Sequence, residues 1–132
     1  MTAISKSYLD ANVIIRFVEG DFAASSHIRT RLSGVSHFVT SQLSRLECRC
    51  HPMRNSDPGL LTAYSLFFGA KEMTLLNIDE RVIDIATRLR ATYAFKSPDA
   101  IHLASAIACE ADCFLTGDTK LARCTEIKIE LL

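Results

Sequence analysis

Several things are missing from this sequence. Neither sign of charge dominates: Lys plus Arg and Asp plus Glu each number 15, so the formal net charge is zero. A neutral total argues against a protein that coats nucleic acid through bulk charge; it leaves room for a local basic patch and gives no long-range repulsion between copies. A disulfide framework is missing too. The five cysteines are odd in number, without a repeated spacing and with no signal-peptide pattern before them, so reduced thiols in a cytoplasmic protein are expected. The longest apolar run, within residues 96–110, is too short and too interrupted to cross a membrane. Internal repeats and low-complexity tracts are absent.

What is present is ordinary globular composition. Of 132 residues, 48% are hydrophobic and 23% charged, enough for one domain with a real core and too few for two, so a single domain over 1–132 is expected. Cys48-Arg49-Cys50-His51 invites a zinc reading, but alternate residues point to different sides of a helix and no matching second pair exists, so free thiols are expected instead.

Along the chain, strands alternate with helices. Short strands are expected around Ser7-Tyr8-Leu9, His37-Phe38-Val39-Thr40, Met73 to Ile78 and Asp112 to Thr116, with a final edge strand over Ile127–Leu131. Between them fall a short apolar helix over Val13–Val18 and a mostly polar one over Ala23–Leu32. A third begins at Ser41 or Ser44, its core face expected at Leu43, Leu46, Cys50 and Met53. After the break at Asn55-Ser56-Asp57-Pro58-Gly59, the helix over Leu60–Ala70 carries more large apolar groups than one small face needs, which suggests a subunit contact. A long amphipathic helix capped by Asp79 follows. The pattern implies an α/β fold with a mainly parallel sheet and helices on both faces.

The chain is organised around residues 96–110. Ser97 is suited to cap a helix, Pro98 presets its first turn, and Asp99 places a negative charge where the helix dipole favours it. The rest is nearly all apolar or small, as expected of a buried helix, with Asp99, His102, Ser105 and Cys109 on one stripe. Asp99 either complements the dipole or serves as an acid held in a site. Other acids bear on that choice. Asp10 and Asp118 both lie just past strand ends, where open α/β sheets place ligands. Asp10 or Asn12 could equally be a simple helix cap. Glu47 lies at the margin of its helix's apolar face; it either pairs with Arg45 or Arg49 or turns into a shared cleft. Asp112, at the other end of its strand, reads as structural, and so does His102, one turn inside a buried helix. If Asp10, Glu47, Asp99 and Asp118 meet on one rim, their repulsion calls for a cation, and an all-oxygen donor set suits Mg²⁺ or Mn²⁺ better than zinc. Arg16, Arg45, Arg49 and Lys120 lie near that rim, where they either steer phosphates or serve as solvated charge.

Four segments, Tyr8-Leu9-Asp10-Ala11-Asn12-Val13-Ile14-Ile15, Ser44-Arg45-Leu46-Glu47, Ser97-Pro98-Asp99-Ala100-Ile101-His102-Leu103-Ala104-Ser105-Ala106 and Phe114-Leu115-Thr116-Gly117-Asp118, resemble in order and spacing the PIN domain, above all the VapC-type toxins. The resemblance implies a three-layer α/β/α fold and a Mg²⁺- or Mn²⁺-dependent endoribonuclease that hydrolyses RNA with metal-activated water. It implies that Asp10, Glu47, Asp99 and Asp118 hold metal, that Thr116 steadies the site and that Asn12 braces the first turn. It also implies a homodimer, held inactive by a small antitoxin covering the acidic cleft. Gly117 stands where the family often has Asn, an exchange expected to loosen the turn carrying Asp118. Three other readings compete: a non-catalytic PIN-fold binding module, a housekeeping RNA-processing PIN nuclease, and a phosphate-accepting receiver-type domain. The last needs a pair of acids after the first strand, where only Asp10 is present.

Overall fold

A computed structural model describes residues 5–132; the first four positions of the expected 1–132 domain lie outside it. The chain runs β1 (Lys6–Leu9), α1 (Ala11–Glu19), α2 (Phe22–Leu32), β2 (His37–Ser41), α3 (Gln42–Arg54), α4 (Pro58–Phe68), β3 (Met73–Leu76), α5 (Glu80–Tyr93), α6 (Ser97–Ala108), β4 (Cys113–Thr116), a 3₁₀ turn (Thr119–Arg123) and β5 (Ile129–Leu131). All four strand pairings are parallel, in the order β3-β2-β1-β4-β5. Each parallel pairing needs a crossover, and the helices supply it while burying both faces of the sheet. The result is a three-layer α/β/α fold.

Strand alternation divides the core. Tyr8 and Phe114 face α5 and α6, their rings stacked with centroids 5.2 Å apart. Leu9, Cys113 and Leu115 face α1, α2, α3 and α4, among Ile14, Ile28, Cys48 and Tyr64. Because β1 is central, the sheet grows one way through β2 and β3 and the other way through β4 and β5. The reversal falls between β1 and β4, and at such a point the crevice beyond the strand ends is left open.

Three local expectations differ. α6 begins at Ser97 with Lys96 as its cap residue, so Ser97 is inside the helix and provides no side-chain cap; Asp99 lies in the first turn as expected. α3 buries Ser44, Cys48 and Pro52, leaving Leu46, Cys50 and Met53 exposed. Thr40 is the reason for that rotation: its hydroxyl donates to the Leu9 carbonyl at 2.8 Å and meets Ser44 Oγ at 2.6 Å, which pins the small polar side of the helix inward. The surplus apolar bulk of α4 is mostly spent inside, with Tyr64 and Phe68 buried and Phe67 against Phe17; Leu66 alone among its large apolar groups is exposed outright.

Candidate active site

The β1–β4 register sets Leu9 opposite Leu115, and the Asp10 N–H continues the ladder by donating to the Leu115 carbonyl at 3.0 Å. Asp10 and Thr116 therefore leave their strands side by side. Thr116 Oγ1 donates to Asp10 Oδ2 at 2.7 Å, Asn12 Nδ2 donates to the same oxygen at 3.1 Å, and the Ala11 N–H donates to Oδ1 at 2.8 Å. Asp10 is thus both the cap of α1 and a carboxylate held by three donors while 5% exposed. Simple capping accounts for one of those donors; the other two come from the positions read as supports.

The turn after β4 is tied from the same residues. Asn12 Oδ1 accepts from the Gly117 N–H at 2.9 Å, Thr116 Oγ1 from the Asp118 N–H at 3.0 Å, and Asp118 Oδ1 from the Lys120 N–H at 2.9 Å. None of these bonds needs a side chain at position 117: the acceptors are the side chains of Asn12, Thr116 and Asp118.

Glu47 reaches the rim from α3. Of its two expected partners, Arg45 bonds Gln42 and Arg49 bonds the Arg45 carbonyl, both within the helix. Glu47 Oε1 instead lies 2.5 Å from His102 Nε2, and His102 Nδ1 lies 2.8 Å from the Tyr8 hydroxyl. His102 is buried as expected, yet its hydrogen bonding is not merely structural, since one partner is a rim acid. Strand alternation held the missing signal: Tyr8 and Asp10, two apart, point to the same side, the side that α6 covers.

Asp99, in the first turn of α6, faces the same space. Burial is the first cause that raises its carboxyl pKa, and the charges of Asp10, Asp118 and Glu47 raise it further, against an opposing contribution from His102. These acids and His102 therefore bear on Asp99 together at the rim. Beside it, Arg16 Nη1 donates to the Leu132 carbonyl at 2.9 Å and lines an open depression of about 410 Å³ with Asn12, Gly117, Asp118 and Thr119. Arg45 and Arg49 line a separate groove with Leu46 and Met53, and Lys120 sits in the exposed 3₁₀ turn.

The donors fit a hard divalent cation. They are carboxylate oxygens, and a positive charge among them relieves what elevates Asp99. Among the described residues, no three His, Cys, Asp or Glu side chains form a ready-made chelate. An ion that keeps part of its own water shell fits such an open set better than one that needs a closed cage. Zinc at Cys48 does not fit: Cys48 is buried under α4 while Cys50 is exposed, and burial first, then the charges of Glu47, Glu19 and Asp10, push the Cys48 thiol up to about 12.

The family model of the PIN domain matches residues 7–127. The chain belongs to the PIN domain family. No curated protein sequence matches it significantly. Solved structures share the fold of this PIN domain at low identity. A chain of the VapBC2 structure from Rickettsia felis, bound to a promoter DNA fragment, superposes with a TM-score of 0.79 at 13% identity, covering 96% of this chain and 98% of that one. The DNA-bound VapBC of Salmonella typhimurium gives 0.78 at 20% identity, with 96% and 97% covered. VapC20 of Mycobacterium tuberculosis, described as a toxin cleaving the sarcin-ricin loop, gives 0.71 at 14% identity, with 92% and 98% covered. Among the described residues no helix is long and apolar enough to span a membrane.

Proposed function

We propose that this PIN domain is a Mg²⁺- or Mn²⁺-dependent endoribonuclease, the toxin of a toxin–antitoxin pair working in the cytoplasm, with Asp10, Glu47, Asp99 and Asp118 holding the metal. The observation that supports the reading is the crevice between β1 and β4, where the tied Asp10 and Asp118 follow adjoining strand ends and Glu47 comes in beside His102; burial and then the charges of those acids raise the Asp99 carboxyl. The similarity to VapC20, a toxin that cleaves an RNA loop, and to VapBC complexes supports the substrate class and the antitoxin partner.

In this reading each residue has a task. Asn12, Thr116 and the Ala11 N–H keep Asp10 oriented, and the tied turn fixes Asp118. Arg16, anchored by the Leu132 carbonyl, offers its remaining N–H groups to a phosphate beside the acids. The divalent cation supplies neutralisation of the clustered charge and a water of lowered pKa. The antitoxin, by covering the rim, denies RNA access to it. The exposed Leu46 and Met53 on α3 suit a homodimer contact that leaves the rim open.

The test is to incubate the purified protein with RNA and Mn²⁺, alongside Asp10→Asn, Asp99→Asn and an EDTA control. Metal-dependent cleavage lost in both variants is the expected result. Cleavage that continues in EDTA rejects the metal requirement, and binding without cleavage favours the non-catalytic module.

A further inference from the structure

Glu47 differs from the other rim acids in how it is held. Asp10 and Asp118 are short side chains fixed by backbone N–H groups next to them in sequence. Glu47 sits in the middle of a helix on a longer, more flexible side chain that is 33% exposed, with nothing on α3 to hold it. Its restraint comes from the opposite layer, through a buried chain of hydrogen bonds. Ser41 Oγ lies 3.0 Å from the Tyr8 hydroxyl, that hydroxyl 2.8 Å from His102 Nδ1, and His102 Nε2 2.5 Å from Glu47 Oε1.

Burial holds the Tyr8 phenol neutral, and its hydroxyl donates to Ser41 Oγ, so the phenol oxygen is left to face His102 Nδ1. The ring is thus gripped from behind through Nδ1 and meets Glu47 through Nε2, one proton lying between the two atoms at 2.5 Å. Asp10 Oδ1, at 3.8 Å from the same nitrogen, is beyond hydrogen-bond reach, so Nε2 serves Glu47 alone.

We propose that His102 is a positioning residue: with Tyr8 and Ser41 behind it, it fixes the Glu47 carboxylate at the rim before a cation arrives. This rests on the metal-dependent reading above. Its effect belongs to cation affinity, because a pre-ordered carboxylate gives up its rotamer freedom in advance. Partners of this kind behind a metal ligand change affinity by about 10- to 100-fold when removed.

The experiment is a calorimetric titration of the RNA-free protein with Mn²⁺, comparing wild type with His102→Phe, His102→Gln and Tyr8→Phe. Phe keeps a ring against the edge of Tyr8 but has no donor, whereas Gln keeps a donor. The expected order of Mn²⁺ affinity is wild type, Tyr8→Phe, His102→Gln, His102→Phe, with the last weaker by about tenfold or more. The cleavage rate at saturating Mn²⁺ should fall less than the affinity does. Unchanged Mn²⁺ affinity in a folded His102→Phe overturns this inference and leaves the nuclease reading standing. A wild type that binds no Mn²⁺ overturns that reading, and the affinity role of His102 with it. Nitrogen NMR of His102 needs neither metal nor the Phe variant to fold: an Nε2 signal that shifts in Glu47→Gln is expected. An Nε2 signal that Glu47→Gln leaves unchanged overturns the contact itself.

Discussion

The two ends of the strand pair β1 and β4 both carry aspartate and behave in opposite ways. At the N-terminal end, Asp112 Oδ2 accepts from the Lys6 N–H and the Asp112 N–H donates to the Lys6 carbonyl, both at 2.8 Å, while the Lys6 ammonium bonds the Cys109 carbonyl at 2.8 Å. Each polar group there meets one of opposite character, and the aspartate simply starts a ladder. At the C-terminal end, Asp10 and Asp118 are fixed just as firmly, yet carboxylates face carboxylates and Asp99 is driven toward its protonated form. An aspartate beside a strand end says little by itself. What separates a structural acid from a candidate ligand is whether its charge has been answered within the fold.

The sharpest way to break this contrast is to neutralise one acid at each end. Asp10→Asn keeps the size of the side chain and should lower Mn²⁺-dependent RNA cleavage by about a thousandfold or more. Asp112→Asn should leave cleavage within about twofold, since no charge at that end takes part in the chemistry. Equal losses in the two variants, measured on the same RNA, would erase the distinction.

How much of this could be read in advance follows the same division. The parallel sheet, its helix layers and the rim positions of Asp10 and Asp118 follow from strand–helix alternation and from where each strand stops, which are local properties. The facing of α3 was not readable that way. Periodicity finds an apolar stripe but not what it meets, and the Thr40–Ser44 bond turns Leu46 and Met53 outward. The partner of Glu47 escaped for a related reason. Neighbouring arginines suggest a local pair, whereas His102 lies 55 positions away and meets Glu47 only because α3 and α6 both pack over the end of the β1 strand. Links between layers are the part that sequence spacing does not encode.

A smaller effect sharpens the N-terminal side. Asp112→Ala removes the acceptor of the Lys6 N–H and should cost about 1 kcal/mol of stability, read as a lower urea midpoint with an unchanged slope. Asp112→Asn, which keeps a carbonyl oxygen for that N–H, should recover most of the loss. If Asp112→Ala is as stable as wild type, the bonds at this end are ornamental and the comparison rests on the other end alone.

The smallest effect concerns the charge on Asp99. Because its carboxyl titrates above the ordinary value of 3.8, the native state keeps a proton that the unfolded chain has lost over the interval between the two values. Stability contributed by this group therefore falls as pH rises through that interval and stays lower above it, where ionised Asp99 faces Asp10, Asp118 and Glu47. Asp99→Asn escapes the penalty, although it gives up the favourable interaction of an ionised first-turn acid with the α6 dipole. Without metal, the variant should melt with wild type below pH 3.8 and above it by about 2 °C at neutral pH. Saturating Mn²⁺ should close or invert the gap, because the cation stabilises only the chain that still has all its acids. A neutral-pH gap that is absent without metal, or that Mn²⁺ leaves untouched, would mean that the rim's charge is already answered by something other than a cation.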